Sequence, residues 1–339
     1  MVSSQPIYLS ILIPVHNQSH LLKQLLASIF TPANSNLPFE VVVCDDGSQE
    51  PIESALVLHR SLRIIRHSTP RGAAAARNSA AEKALGEVFL FLDADTVLIE
   101  GSLQHLVARF QAEADLMAIN GGADLEPANP EAGFTVRYRA MIDHVQQNIR
   151  APRECSFFTP RCGAIRKEIF FKAGRFSESF AGATVEEYEF GHRLTRFTPI
   201  RFDRKVGVKH HYSGFWKNSK NYFVRVRAWM ALFMKRRQFD NYGACTGSAG
   251  LGSILALFWA PGLLLPTPLR ELVVLSSLSG FFFGYRDIFG WSLRLKGPLF
   301  FLQSVLLTWW LCCLIVPGAM LGALDSVRTI APASHRERA

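Results

Sequence analysis

Two acidic pairs and one acidic cluster stand where carboxylates can do chemistry. Asp93-Ala94-Asp95 follows the apolar run Phe89-Leu90-Phe91-Leu92, which puts two carboxylates at alternate positions of a strand-end turn. Hard divalent cations such as Mg2+ and Mn2+ take oxygen ligands, commonly one or two carboxylates with phosphate and water completing the set. Such a pair suits a diphosphate leaving group, on which charge builds as its bond breaks. Asp45-Asp46-Gly47-Ser48 follows a second apolar run, Val41 to Cys44. A carboxylate there can accept a hydrogen bond from a base N–H, although Asp-Gly is also an ordinary turn signal. Arg77 can face a phosphate or base, or cap a helix; His16 can stack on a base or lie on a polar surface. Glu186-Glu187-Tyr188-Glu189 offers a general base, or only an acidic helix start favoured by the helix dipole. Glu189 and Arg193, four apart, form an ion pair on one helix face.

These groups need a scaffold. Short apolar runs at 9–15, 40–44, 63–66, 88–92 and 116–119 read as strands. Between them, Leu21, Leu22, Leu25, Leu26 and Ile29 share a helix face that Asn17 or Ser19 can cap, and helices are expected over 73–85 and 103–110. Continuous apolar strands alternating with helices imply an α/β fold with a parallel sheet covered on both faces. Ligands in such sheets bind beyond the carboxyl ends of the strands. The residues found there are Pro14, His16 and Asn17, then Asp45 to Ser48, then Asp93 to Asp95, so three polar clusters converge on one edge.

Composition divides the chain. Residues 1–240 mix charge and apolar runs as a soluble domain does, whereas 244–324 is rich in Leu, Phe, Trp and Gly. The net charge of +9 suits nucleic acid, anionic lipid or a phosphate-bearing substrate. The apolar C-terminal part favours the last two, and no nucleic acid partner is expected. Lys235, Arg236 and Arg237 precede that part as a cytoplasmic membrane flank does. None of the six cysteines forms a CxxC pair, which points to reduced thiols and away from a disulfide framework or zinc site. The start of the chain, 1–6, lacks a signal-peptide pattern.

Five segments, in order, resemble the motifs of family 2 glycosyltransferases: Ser10 to Asn17, Val43 to Ser48, Arg71-Gly72 through Asn78, Phe91 to Asp95, and Val185 to Leu194, which is similar to that family's E-D-x-E-L-x-x-R-L element. The resemblance covers roughly 7–230. It implies the GT-A fold, a Rossmann-like nucleotide-sugar domain, and an inverting transfer from a nucleotide sugar, a UDP-sugar being expected, to a hydroxyl. It also implies roles: Asp46 holding the base, His16 in a stacking position, Arg77 on the nucleotide, Asp93 near the ribose, and Asp95 on Mn2+ or Mg2+. His210 resembles a downstream metal-site histidine, with His211 beside it as the alternative. Glu187 stands where the family has an aspartate base, and Glu186 is the alternative. Cys162 stands where relatives often carry Asn.

Three parts follow: a cytoplasmic catalytic domain at 1–240, a membrane region at 241–326 and a basic tail at 327–339. Residues 244–266 nearly suffice to span a bilayer core of about 30 Å, Pro261 and Pro266 aside. Residues 272–285 are apolar but short, 286–296 suit an interfacial helix, and 298–324 form the clearest span. Two or three crossings are expected, making the protein a multi-pass one of the inner (plasma) membrane whose acceptor is a glycan or lipid-linked glycan. A polyprenyl-phosphate glycosyltransferase needs no base and usually lacks the Glu186–Glu189 type of element. A processive synthase carries Q-x-x-R-W, whereas here Arg227 and Trp229 are split by Ala228. A non-catalytic membrane scaffold is disfavoured by the presence of Asp46, Asp93, Asp95 and Glu187 together.

Overall fold

Seven residues with no charge, Leu9–Val15, are buried along their whole length and form the central strand β1 of the computed structural model. The structure describes residues 6–56, 59–150, 152–179, 185–237, 239 and 246–330. It divides into two compact units, 1–212 and 213–339. In the first, β1 is followed by α1 (Ser19–Ile29), β2 (Phe39–Asp45), β3 (Leu62–Arg66), α2 (Ala73–Lys83), β4 (Val88–Leu92), β5 (Thr96–Leu98), α3 (Ser102–Ala112), β6 (Ala118–Ala123), α4 (Phe134–His144), β7 (Glu154–Cys155), β8 (Cys162–Arg166), α5 (Lys167–Lys172), α6 (Glu186–Leu194) and β9 (Ile200–His210).

The sheet order is β3-β2-β1-β4-β8-β6-β9-β5, with β7 beside β9. β3, β2, β1 and β4 are parallel, as their unbroken apolar runs require. β1 lies between β2 and β4, so the order reverses at β1 and opens a crevice at its carboxyl end. Beyond β4, β8 runs antiparallel to both β4 and β6. One sheet face packs on Leu22, Leu25, Leu26, Ile29, Leu103 and Leu106. Elsewhere Phe91, Phe158, Phe170, Phe176 and Phe190 form an aromatic cluster, with ring centroids 4.6–6.3 Å apart.

Local expectations shift in three places. The N-cap of α1 is Gln18, without a side-chain bond, not Asn17 or Ser19. Asn17 has φ 55° and its amide oxygen is taken by the Gln49 N–H at 2.8 Å. β6 begins two residues later than the apolar pattern suggests, because the Leu116 N–H closes a turn on Glu113 O. It then runs through Gly121, where a Cβ would fall 2.7 Å from Val206 O.

The second unit holds α7 (Phe215–Arg236), α8 (Gly247–Leu255), α9 (Trp259–Gly262), α10 (Leu269–Gly284), α11 (Arg286–Lys296) and α12 (Pro298–Ile330). The stretch 244–266 does not form the nearly spanning helix expected of it. Residues 244–245 lie outside the described residues, and α8 and α9 hold nine and four residues. Nine residues reach only about 14 Å, and Pro261 and Pro266 prevent a longer run. Among the described residues, one helix, Pro298–Ser326, is long and apolar enough to cross a membrane; α10 and α11 qualify only as a pair and are bent by 66°. Against the two or three crossings expected, the described residues hold one such span, or two if the bent pair is a single broken span. α11 occupies the stretch expected for an interfacial helix, while Cys245 and residues 331–339 of the basic tail lie outside the described residues.

Gly47 makes the turn after β2: its φ is +65°, and a Cβ would lie 2.7 Å from Pro70 N. An L-residue held left-handed costs about 1–2 kcal/mol before any overlap is counted. Gly47→Ala should lower the unfolding free energy of the full chain by at least that amount, read from thermal or denaturant melts in detergent.

Candidate functional site

The first cluster is built on Asp46. Its backbone N–H bonds to Val15 O, locking the ends of β1 and β2 together. Its carboxylate accepts the Arg71 N–H and Gly72 N–H, each at 2.8 Å, and lies 2.7 Å from His67 Nδ1. Asp46 therefore anchors the loop that starts α2; the base-holding position expected of it carries three bonds from the chain itself. His16 Nδ1 lies 2.8 Å from Asp46 O and its Nε2 3.0 Å from the Asn17 amide, so His16, Asn17 and Asp46 meet as expected. Pro14 does not join them: it is buried within β1 opposite Cys44. Asp45 points elsewhere, to the Ser48 N–H at 2.9 Å and to Arg66. Burial first, then Asp46 and Asp45, push the Cys44 thiol up to about 12, which keeps it neutral and inert.

The second cluster centres on Arg77. This residue is 3% exposed; Nη2 donates to Asp93 at 2.6 Å and Nη1 to Glu186 at 3.2 Å. Burial alone would lower its pKa, but Asp93 and Glu186 outweigh burial and raise it. Arg77, expected to touch the nucleotide, bridges the end of β4 and the start of α6. Its guanidinium also lies 5.7 Å from the Phe176 ring, within the aromatic cluster that carries Phe190 of α6. Glu186 is thereby buried and committed to Arg77. Glu187 is half-buried, and its carbonyl accepts the Phe158 N–H at 3.3 Å. Glu189 and Arg193 form the expected i,i+4 pair in bidentate fashion, at 2.5 and 2.8 Å.

Asp95 faces a third group. Its Oδ1 lies 3.2 Å from His210 Nε2 at the end of β9. His211 turns away to Gln24 Oε1 at 2.9 Å, which separates the two histidines. Burial would raise the Asp95 pKa; His210 overrides it and the net shift is downward. Among the described residues no three His, Cys, Asp or Glu side chains gather as a complete metal cage. A carboxylate and an imidazole facing each other still fit a cation that takes its other ligands from phosphate and water. His210 Nδ1, buried without a hydrogen-bond partner, leaves Nε2 as the nitrogen aimed at Asp95.

Residues that the sequence did not single out complete this corner. Asp143, near the end of α4, accepts from Arg161 at 2.6 Å, Arg139 at 3.3 Å and the Tyr212 hydroxyl at 2.8 Å. Burial would raise its pKa, yet Arg139 and Arg161 hold it well below the usual carboxylate range. The Tyr212 ring lies against His210 at an interplanar angle of 57°, with centroids 4.5 Å apart. Leu92 pairs with Cys162, so Asp93 and Arg161 are the next residues of the antiparallel β4–β8 pair. The available signal was Arg161 preceding a strand-like segment, but a strand's partner cannot be read from spacing.

With the geometry established, comparison with known proteins is direct. Residues 10–172 match the pattern of Glycosyl transferase family 2. An uncharacterized glycosyltransferase of Haemophilus influenzae is 30% identical over 210 residues, 58% of this chain and 66% of that protein. The Escherichia coli UDP-Glc:alpha-D-GlcNAc-diphosphoundecaprenol beta-1,3-glucosyltransferase WfgD is 31% identical over 101 residues, 29% of this chain and 39% of that one. The chain thus spans less than two thirds of the length of these relatives. A mannosyltransferase of Pyrobaculum calidifontis, solved with GDP-Man and Mn2+, has a TM-score of 0.56 at 14% identity, covering 96% of this chain and 88% of that one. That likeness is one of fold, and the first unit is a GT-A α/β domain.

Two measurements probe this site. Glu186→Gln leaves Arg77 one carboxylate short in a buried setting and should cost about 2–3 kcal/mol, less than the full loss of a buried partner, whereas Glu187→Gln should cost less in the same melt. The folded state keeps the Asp143 proton off where unfolded carboxyls, with pKa about 4, take it up. Unfolding therefore binds a proton below about pH 4, and stability falls as pH drops there but is fully present above it. Denaturant midpoints from pH 5 to 3 should fall less steeply in Asp143→Asn than in the parent.

Proposed function

Because the chain belongs to glycosyl transferase family 2, we propose that it moves a sugar from a nucleotide sugar, a UDP-sugar, to an acceptor hydroxyl by a single inverting displacement. The observation that carries this reading is the Arg77 bridge, which ties Glu186 on α6 to Asp93, two residues from Asp95. It brings the helix bearing Glu187 to the strand end where a sugar diphosphate would sit.

In this reading Glu187 takes the proton of the acceptor hydroxyl. The hydroxyl oxygen bonds to the anomeric carbon while the bond from that carbon to the diphosphate breaks, and its electron pair leaves with the nucleoside diphosphate. Asp95 and His210 would hold Mn2+ or Mg2+, which when bound supplies charge neutralisation for the departing diphosphate. Arg161, fixed by Asp143, adds preorganised positive charge beside Asp93. His16 and Asn17 line the base end. Geometry contributes by holding donor and acceptor in line. Glu186 serves as a positioning residue through Arg77, which favours Glu187 over Glu186 as the base.

The acceptor in this reading is a lipid-linked glycan or glycolipid, reached by a cytoplasmic catalytic unit attached to the inner membrane through α12. The apolar length of Pro298–Ser326 supports attachment, and the WfgD relative, whose name gives a diphosphoundecaprenol acceptor, supports that acceptor class.

Membranes carrying the protein, given UDP-sugars and Mn2+, should release UDP. Glu187→Gln should still raise its melting point with UDP and Mn2+ but lose transfer by about 10²–10⁴-fold. Near-normal turnover in that variant would remove Glu187 from the role. Asp95→Ala and His210→Ala should each raise the Mn2+ concentration needed for half-maximal UDP release.

A further inference from the structure

α12 has the length and composition of a bilayer span, but its second half lies alongside a charged helix. Contacts step along α7 and α12 in the same direction. The Phe215 and Trp310 rings are 5.7 Å apart, and Trp310 Nε1 donates to Ser219 Oγ at 3.0 Å. A Cβ at Gly318 would meet Phe223 O at 2.9 Å, and Arg227 pairs with Asp325 at 2.6 Å. Gly318 and Gly322, four apart, allow this approach, as small residues do between close helices. Over the same stretch α7 exposes Lys217, Lys220, Arg225 and Arg227. Charged side chains facing hydrocarbon are costly and rare. The part of α12 from 310 to 325 therefore lies at or outside the bilayer surface.

What remains is too short to cross. Residues 298–309 reach about 18 Å, against a hydrocarbon core of about 30 Å. α10 is bounded by Arg270 and Glu271 at one end and by Arg286 and Asp287 of α11 just beyond the other. Its apolar stretch 272–284 reaches about 20 Å. Yet this part of the unit exposes large apolar side chains: Leu264 is 89% exposed, Leu299 69%, Leu306 68%, and Leu272 and Leu275 64%. Patches of this kind on a soluble surface mark an interaction site. The boundary between the apolar and charged parts is aromatic. Trp216, 75% exposed, packs on Phe215 at 4.9 Å and Trp310 at 6.5 Å. Indole rings collect at the bilayer–water interface.

We propose that the second unit enters one leaflet only. The apolar surfaces of α8, α10 and the first half of α12 sit among acyl chains, Lys217 and Lys220 of α7 meet anionic headgroups on the same side, and none of the described segments emerges on the far side. Charge complementarity selects the partner, an anionic bilayer surface. The protein is then a monotopic membrane protein and not a spanning one.

The full chain, produced in a Gram-negative host, decides this. A C-terminal alkaline phosphatase fusion should stay inactive, and the matching fluorescent-protein fusion should be bright. Lys296→Cys, compared with the unsubstituted chain, should react with an impermeant maleimide only after the membrane is permeabilised. The chain should sediment with membranes until detergent is added. Active phosphatase at the C-terminus, labelling of Lys296→Cys in intact cells, or a chain found in the soluble fraction would each overturn the proposal. An N-terminal fluorescent fusion reports the side of the catalytic unit separately, so an error in that placement is not mistaken for a failure of the one-leaflet reading.

Discussion

A guanidinium withdrawn from water must be paired, and the pairing of Arg77 organises the first unit. Its partners, Asp93 and Glu186, lie 16 and 109 residues away in the chain. A buried ion pair adds little net stability compared with apolar packing, but leaving one partner out is expensive. The consequence here is positional. α6 cannot move away from the end of β4 without stranding a buried charge, and the aromatic cluster around Phe176 and Phe190 fills the space beneath it.

The two aspartates of the strand-end turn serve different networks. They sit in the turn between β4 and β5, outside the strand pleat that would put positions i and i+2 on one face. In that turn Asp93 reaches Arg77 and Asp95 reaches His210. One carboxylate fixes architecture, and the other is left with an imidazole as its partner, a pairing that suits a cation. The Asp143 hub holds Arg139, Arg161 and Tyr212, and the Tyr212 ring lies tilted against His210. Asp46 does comparable work at the ends of β1 and β2, where its carboxylate closes the loop leading into α2.

The second unit is governed by a different conflict, between apolar content and helix length. Its composition is that of a membrane region, but α8 and α9 are short and broken near Pro261, and α10 ends against a charged helix. α7 brings its cations alongside the later part of α12. Hydropathy counted along one helix misses this, because the environment of a segment is set as much by its neighbour as by its own residues.

The sequence by itself determined the strands β1, β2 and β4, the parallel half of the sheet and the three polar clusters at its carboxyl edge. These follow from short-range pattern: unbroken apolar runs must be buried on both faces, and chain direction then decides which end carries the turns. It also placed Glu189 opposite Arg193, since helical spacing alone makes that contact. Only the tertiary structure decided that Arg77 bridges and does not face outward, that His210 and not His211 meets Asp95, and that Asp143 and Arg161 belong to the site. Each depends on which strand pairs with which, as β8 does with β4 and β9 with β5. Strand pairing across long separations is chosen by the packing of the whole sheet, and no local spacing encodes it.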